Sequence, residues 1–109
     1  MGKGVIEMIN LTKSNAEEIF SHGGVQVIEF YSPTCTHCKR TESGIKEIEE
    51  GTAYDAKFIK CDYTQEQALG EKYDVTALPT LIFLKNGEIK NKLTGFTHKL
   101  VIEDNLSRI

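Results

Sequence analysis

The chain has no tryptophan, only two prolines (Pro33 and Pro79) and three cysteines. An odd cysteine count does not suit a secreted disulfide framework. No apolar run approaches the roughly 18 residues a membrane helix needs. The opening Met1-Gly2-Lys3-Gly4-Val5-Ile6-Glu7 lacks the apolar stretch of a secretory leader, and Ile6 spoils a myristoylation signal. Lysine and arginine do not cluster and the formal net charge is -3, which argues against nucleic acid or an anionic membrane as the main partner. No G-x-G-x-x-G fingerprint is present to hold a flavin or nicotinamide, so no cofactor is expected. Cys61 and the scattered histidines do not supply the second ligand pair of a zinc site. Lys39 stands where a c-type haem motif needs histidine. Repeats, low-complexity tracts and linkers are missing too. What remains is a single domain over residues 1–109, expected to be cytoplasmic and monomeric and to act on proteins or small molecules.

Against that background, Cys35-Thr36-His37-Cys38 stands out, directly after the apolar stretch Val25 to Tyr31. The spacing makes a dithiol at a strand-to-helix junction. A helix N-terminus leaves its first N–H groups unpaired and carries partial positive charge, which favours a thiolate at Cys35. Cys35 is therefore the expected nucleophile. Cys38, one turn further on, is placed to attack a mixed disulfide on Cys35 and release the partner reduced.

Periodicity supplies the elements around this pair. Val5 to Ile9 reads as a short strand. Ser14-Asn15-Ala16-Glu17 matches a capping box, predicting a helix to about Ser21, stopped by Gly23-Gly24. Val25 to Tyr31 is too apolar for simple in-and-out alternation, as expected of a central strand covered on both faces. Cys38, Thr41, Ile45, Ile48 and Thr52 fall at helical spacing, with Ser43-Gly44 a weak point where a bend is expected and Gly51 the end. Ala56 to Cys61 is the next strand. Thr64 to Gln67 is a second capping box, opening a helix that ends near Tyr73. Thr80 to Leu84 is a buried strand, Asn86-Gly87 a hairpin turn, and Ile89 to Leu93 its antiparallel return. Thr97 is the expected cap of a last helix in which Leu100, Val101 and Leu106 face the sheet.

The order βαβαβαββα is similar to the thioredoxin family over nearly the whole chain. The resemblance rests on Phe30 to Lys39, with its C-x-x-C, on Ala77-Leu78-Pro79-Thr80-Leu81, and on Phe83 to Glu88. It implies an α/β thioredoxin fold, a central mixed sheet flanked by helices. It also implies a thiol-disulfide oxidoreductase that reduces protein disulfides and is recharged by an external donor such as thioredoxin reductase. Pro79 would be the family's cis-proline beside the dithiol, where the Leu78 backbone pairs with a bound substrate strand. Thr34 and Thr36, flanking Cys35, complete the positions expected to meet substrate. A more oxidising oxidase or isomerase is the alternative, and Tyr31-Ser32-Pro33-Thr34-Cys35 lends some support to a glutaredoxin-like protein.

Departures from the family pattern carry further information. Thr34 stands where the family has tryptophan, Thr36-His37 replaces Gly-Pro, and Ser43 replaces the proline of the active-site helix. His37 resembles the more oxidising members; an N–H near the Cys35 thiolate would stabilise the reduced form. Glu29, six residues before Cys35, occupies the place of the family's buried acid and is expected to take the Cys38 proton, against the plainer reading of a solvated strand residue. The lysine that accompanies that acid is missing, Phe58 being nearest its position, and Lys57 and Lys60 are expected in solvent. Cys61 reads as a small core residue, Lys39 and Arg40 as exposed, and His22 and His98 as solvated at helix ends.

Overall fold

The computed structural model describes residues 8–51 and 53–109. Its elements are β1 (Ile9–Asn10), α1 (Ala16–Ser21), β2 (Val25–Tyr31), α2 (Thr36–Gly51), β3 (Ala56–Asp62), α3 (Gln67–Lys72), β4 (Thr80–Lys85), β5 (Glu88–Thr94) and α4 (Lys99–Arg108). The expected strand over Val5 to Ile9 lies mostly outside the described residues, as does Thr52. The five strands form one sheet in the order β1-β3-β2-β4-β5. β1 and β2 run parallel to β3, while β4 is antiparallel to both β2 and β5. This is the mixed sheet expected from the alternation of elements followed by a hairpin.

β2 lies between β3 and β4 and is buried from Gln26 through Phe30. Alternation sends its side chains to two separate cores. Ile28 and Phe30 join Leu11, Ile19, Ile59, Cys61, Leu69 and Ile82 beneath α1 and α3. Val27 packs with Ile45, Ile48, Phe58, Leu81, Phe83 and Ile102 beneath α2 and α4. Glu29 shares the parity of Val27 and so points to the α2 face.

The β4–β5 hairpin turns on Asn86 and Gly87, with φ of 52° and 85°. Both lie in the left-handed region a tight primed turn requires. Asn86 also ties the turn to the start of β2, its Oδ1 accepting from Gly24 N at 2.8 Å. Gly44 lies where α4 approaches α2: a Cβ there would come 3.2 Å from the Lys99 Cβ. That weak point in the helix sequence is a contact site between helices.

Three helix starts differ from expectation. Ser14 does not cap α1; Asn15 is its N-cap without a side-chain bond to the helix, its Oδ1 accepting instead from Thr12 N. Thr64 does not cap α3, because its hydroxyl and its N–H are both committed to Asp62 Oδ1. His98, not Thr97, caps α4, with Nδ1 accepting from Leu100 N at 3.0 Å. Thr97 is held elsewhere: its N–H donates to Thr41 Oγ1 and its hydroxyl to Gly95 O. The sheet-facing side of α4 is Ile102 and Leu106, one turn apart, while Leu100 and Val101 are exposed.

Candidate active site

The end of β2 delivers the chain to the dithiol. Ser32 O accepts from Cys35 N at 3.2 Å, turning the backbone into α2, and Cys35 O accepts the N–H of Lys39. Cys35 therefore stands at the N-terminus of a 16-residue helix. Its Sγ accepts the backbone N–H of Cys38 at 3.1 Å, a donor that also suits a thiolate. The two cysteines are joined as a disulfide with Cα atoms 5.2 Å apart. Cys35 is half-exposed and Cys38 buried, so a partner's sulfur reaches the first and not the second.

The other expected substrate positions gather on the same rim. Phe30 pairs with Thr80 across the β2–β4 ladder, so Leu78 and Pro79 lie beyond the end of β2, where the dithiol loop begins. The Leu78–Pro79 peptide is cis. Pro79 O accepts from Gly95 N at 2.7 Å, which brings Phe96 to this rim. Thr34 and Thr36 are exposed on either side of Cys35. Phe96 is 40% exposed and carries the Arg40 guanidinium 4.3 Å above its ring, a pairing that sequence reasoning missed because the two residues lie far apart in the chain. His37 is exposed and has no hydrogen-bond partner among the described residues.

On the face of β2 that α2 covers, Glu29 is fully buried, not solvated, and neither carboxyl oxygen has a hydrogen-bond partner among the described residues. Burial, with the negative charge of Glu42 added to it, pushes its pKa up to about 8 against the opposing pull of Lys60. Lys60 is not a freely solvated lysine. It is the β3 register partner of Glu29, it is largely shielded, and its Nζ lies 3.5 Å from Glu42 Oε2. Both residues were readable in part: Glu42 is four residues from Cys38, on the same side of α2, and Lys60 has the same strand parity as Phe58. Lys57 is exposed as expected. Cys61 is a core residue whose thiol burial pushes up to about 12, an inert form.

A family model described as Thioredoxin matches residues 7–108. Over 81 residues the chain is 31% identical to thioredoxin of Bacillus subtilis, covering 74% of this chain and 78% of that one. It is 38% identical over 90 residues to protein disulfide-isomerase 1 of Caenorhabditis elegans, covering 78% of this chain but only 18% of that protein. The chain thus spans less than a fifth of the length of the disulfide-isomerase relatives in Caenorhabditis elegans and Schistosoma mansoni, 18 and 19%. A crystal structure of reduced Schistosoma mansoni thioredoxin pre-protein superposes with a TM-score of 0.83 at 29% identity, covering 94% of this chain and 98% of that one.

Proposed function

The chain belongs to the thioredoxin family, and on that premise we propose that it is a thiol-disulfide oxidoreductase that reduces protein disulfides through Cys35 and Cys38. The observation that carries this reading is the unequal exposure of two bonded sulfurs at a helix N-terminus. Reduced Cys35 attacks the target disulfide as a thiolate. Cys38 then displaces the target from Cys35, closing the internal disulfide as the target leaves with its two electrons. Glu29 takes the Cys38 proton as that thiol becomes the attacking group. Thr34, Thr36, Leu78 and Pro79 meet the substrate, the Leu78 backbone pairing with an extended segment of it.

The reading extends to a reducing, cytoplasmic setting and a monomer recharged by an external donor such as thioredoxin reductase. Among the described residues no helix is long and apolar enough to cross a membrane. A second reading, a net oxidase or isomerase, is favoured by His37 between the cysteines and by the likeness to disulfide-isomerases. Equilibration with glutathione of known ratio separates the two by the direction of electron flow.

Cysteine variants test the division of labour. Cys38→Ser should stall as a mixed disulfide that mass spectrometry detects, whereas Cys35→Ser should neither reduce nor trap a disulfide substrate. Adducts on Cys35→Ser alone would reverse the two roles.

A further inference from the structure

The rim of the dithiol carries a charged group that the proposed reaction leaves unused. Arg40 is exposed on α2, with its guanidinium 4.3 Å from the centre of the Phe96 ring and no hydrogen-bond or ion-pair partner among the described residues. The acids that follow it on α2 are committed elsewhere, Glu42 to Lys60 at 3.5 Å and Glu47 to Lys99 at 3.2 Å. His37, Lys39 and His98, all exposed, bring no negative charge to this corner. A chain with a formal net charge of -3 thus holds an unpaired cation close to its cysteines.

Neighbouring contacts fix the position of this cation. Thr41 and Thr97, each next in sequence to a member of the stack, are both buried, and Thr41 Oγ1 accepts the Thr97 N–H at 3.1 Å. Further along α2, Gly44 lies against Lys99. The segment entering α4 is therefore set in register against α2, with Phe96 opposite Arg40. On its other side Gly95 N donates to Pro79 O at 2.7 Å, which joins Phe96 to the rim where substrate is proposed to pair. Arg40 also lies one helical turn beyond Thr36, on the same side of α2. The stack continues the substrate rim outward from Thr36 and Pro79.

The ring covers one side of the cation and leaves the rest of its N–H fork open to water. That fork matches a carboxylate, which can take two parallel hydrogen bonds from it. Holding the long side chain against Phe96 in the free protein also reduces the ordering that binding would otherwise require.

We propose that Arg40, set in place by Phe96, is a specificity-determining residue that favours target proteins carrying an aspartate or glutamate side chain close to the disulfide under attack. The proposal deepens the reading of the chain as a reductase of protein disulfides and rests on it. The sulfur chemistry is unchanged: the carboxylate binds the guanidinium while the Cys35 thiolate attacks, and electrons pass only between sulfurs.

The test uses synthetic disulfide-bridged peptides that are identical except that each near neighbour of the attacked cysteine is in turn Asp, Asn or Lys. Second-order rates of peptide reduction are measured for the reduced native protein and for Arg40→Met, Arg40→Lys and Phe96→Ala. At one or more positions native protein should reduce the Asp peptide about three- to tenfold faster than the Asn peptide, and the Lys peptide more slowly than either. Added salt should shrink that preference. In Arg40→Met the Asp and Asn rates should coincide. Arg40→Lys, which keeps the charge without the fork, and Phe96→Ala, which keeps the fork without its support, should each retain only part of the preference. Equal native rates for Asp and Asn peptides at every position would overturn the proposal and leave the reductase reading standing, as would a preference that Arg40→Met retains in full. If reduced native protein leaves every peptide oxidised, the reductase reading fails and the proposal with it.

Discussion

Glu29→Gln should remove a loss of stability that the oxidised native protein suffers as pH rises, and the size of the effect follows from burial. Folding raises the pKa of Glu29 from 4.5 to about 8. Between those values the folded chain binds more protons than the unfolded one, so the stability tied to this group is intact below the unfolded pKa. It falls as pH rises through the window and levels off above the folded pKa. At 1.36 kcal/mol for each pKa unit, the penalty is about 1 kcal/mol at pH 5 and about 3 kcal/mol at pH 7. Glutamine does not titrate, and whatever its buried amide costs is the same at both pH values. The native protein should therefore lose about 2.5 kcal/mol relative to the variant between pH 5 and pH 7, on the order of 10 °C or more in Tm for a domain of this size. Thermal unfolding of both oxidised proteins at a series of pH values reads this directly. Native and variant curves that run parallel from pH 5 to pH 8 would refute the buried, raised carboxyl and the proton-transfer role built on it.

Other outcomes follow from single sites. In His37→Pro, Cys35 should titrate higher than in native protein and the reduction potential should fall if the exposed His37 ring turns to the Cys35 thiolate once the disulfide opens; thiolate absorbance against pH and glutathione equilibria measure both, and matching values would leave His37 no part in tuning. Cys61, buried with its thiol pushed up to about 12, should resist alkylation at pH 8 in folded Cys35→Ser/Cys38→Ser protein and react fully in denaturant. Modification at comparable rates in both would mean that β3 opens readily. Gly70→Ala should cost about 1–3 kcal/mol in denaturant unfolding, since an added Cβ falls on the Tyr63 ring. An unchanged midpoint would show that this ring moves aside freely.

The parts legible in the sequence are those set by local chemistry. β2 runs from Val25 to Tyr31 because β-branched and aromatic residues fill both faces of a central strand, and Asn86-Gly87 turns because those two residues tolerate positive φ. The dithiol was visible from spacing alone. Helix caps were less legible, since a serine or threonine at the right offset has competing acceptors that only the fold supplies. Thr64 bonds to Asp62 and Thr97 donates to Gly95 O, so neither hydroxyl caps its helix. Ile102 and Leu106, one turn apart, share the buried side of α4, and Leu100 and Val101, at about 200° and 100° from Ile102 around the axis, face water. Lys60 is hard to place from sequence for a related reason: its position beside Glu29 depends on the parallel register of β2 and β3, a long-range fact.

β5 gives the molecule a further property. It closes one side of the sheet with almost every residue exposed, and its outer edge presents backbone groups without a neighbouring strand among the described residues. Such a border invites another chain to add itself by backbone pairing. Here the border carries Lys90 and Lys92, with Glu88 and Asn91 between and beside them, and Lys92 Nζ reaches back to the carbonyls of Tyr73 and Asp74. A second copy docking edge to edge would set lysine against lysine and strip water from both. Like charges and retained water thus oppose edge-to-edge pairing of two copies through β5.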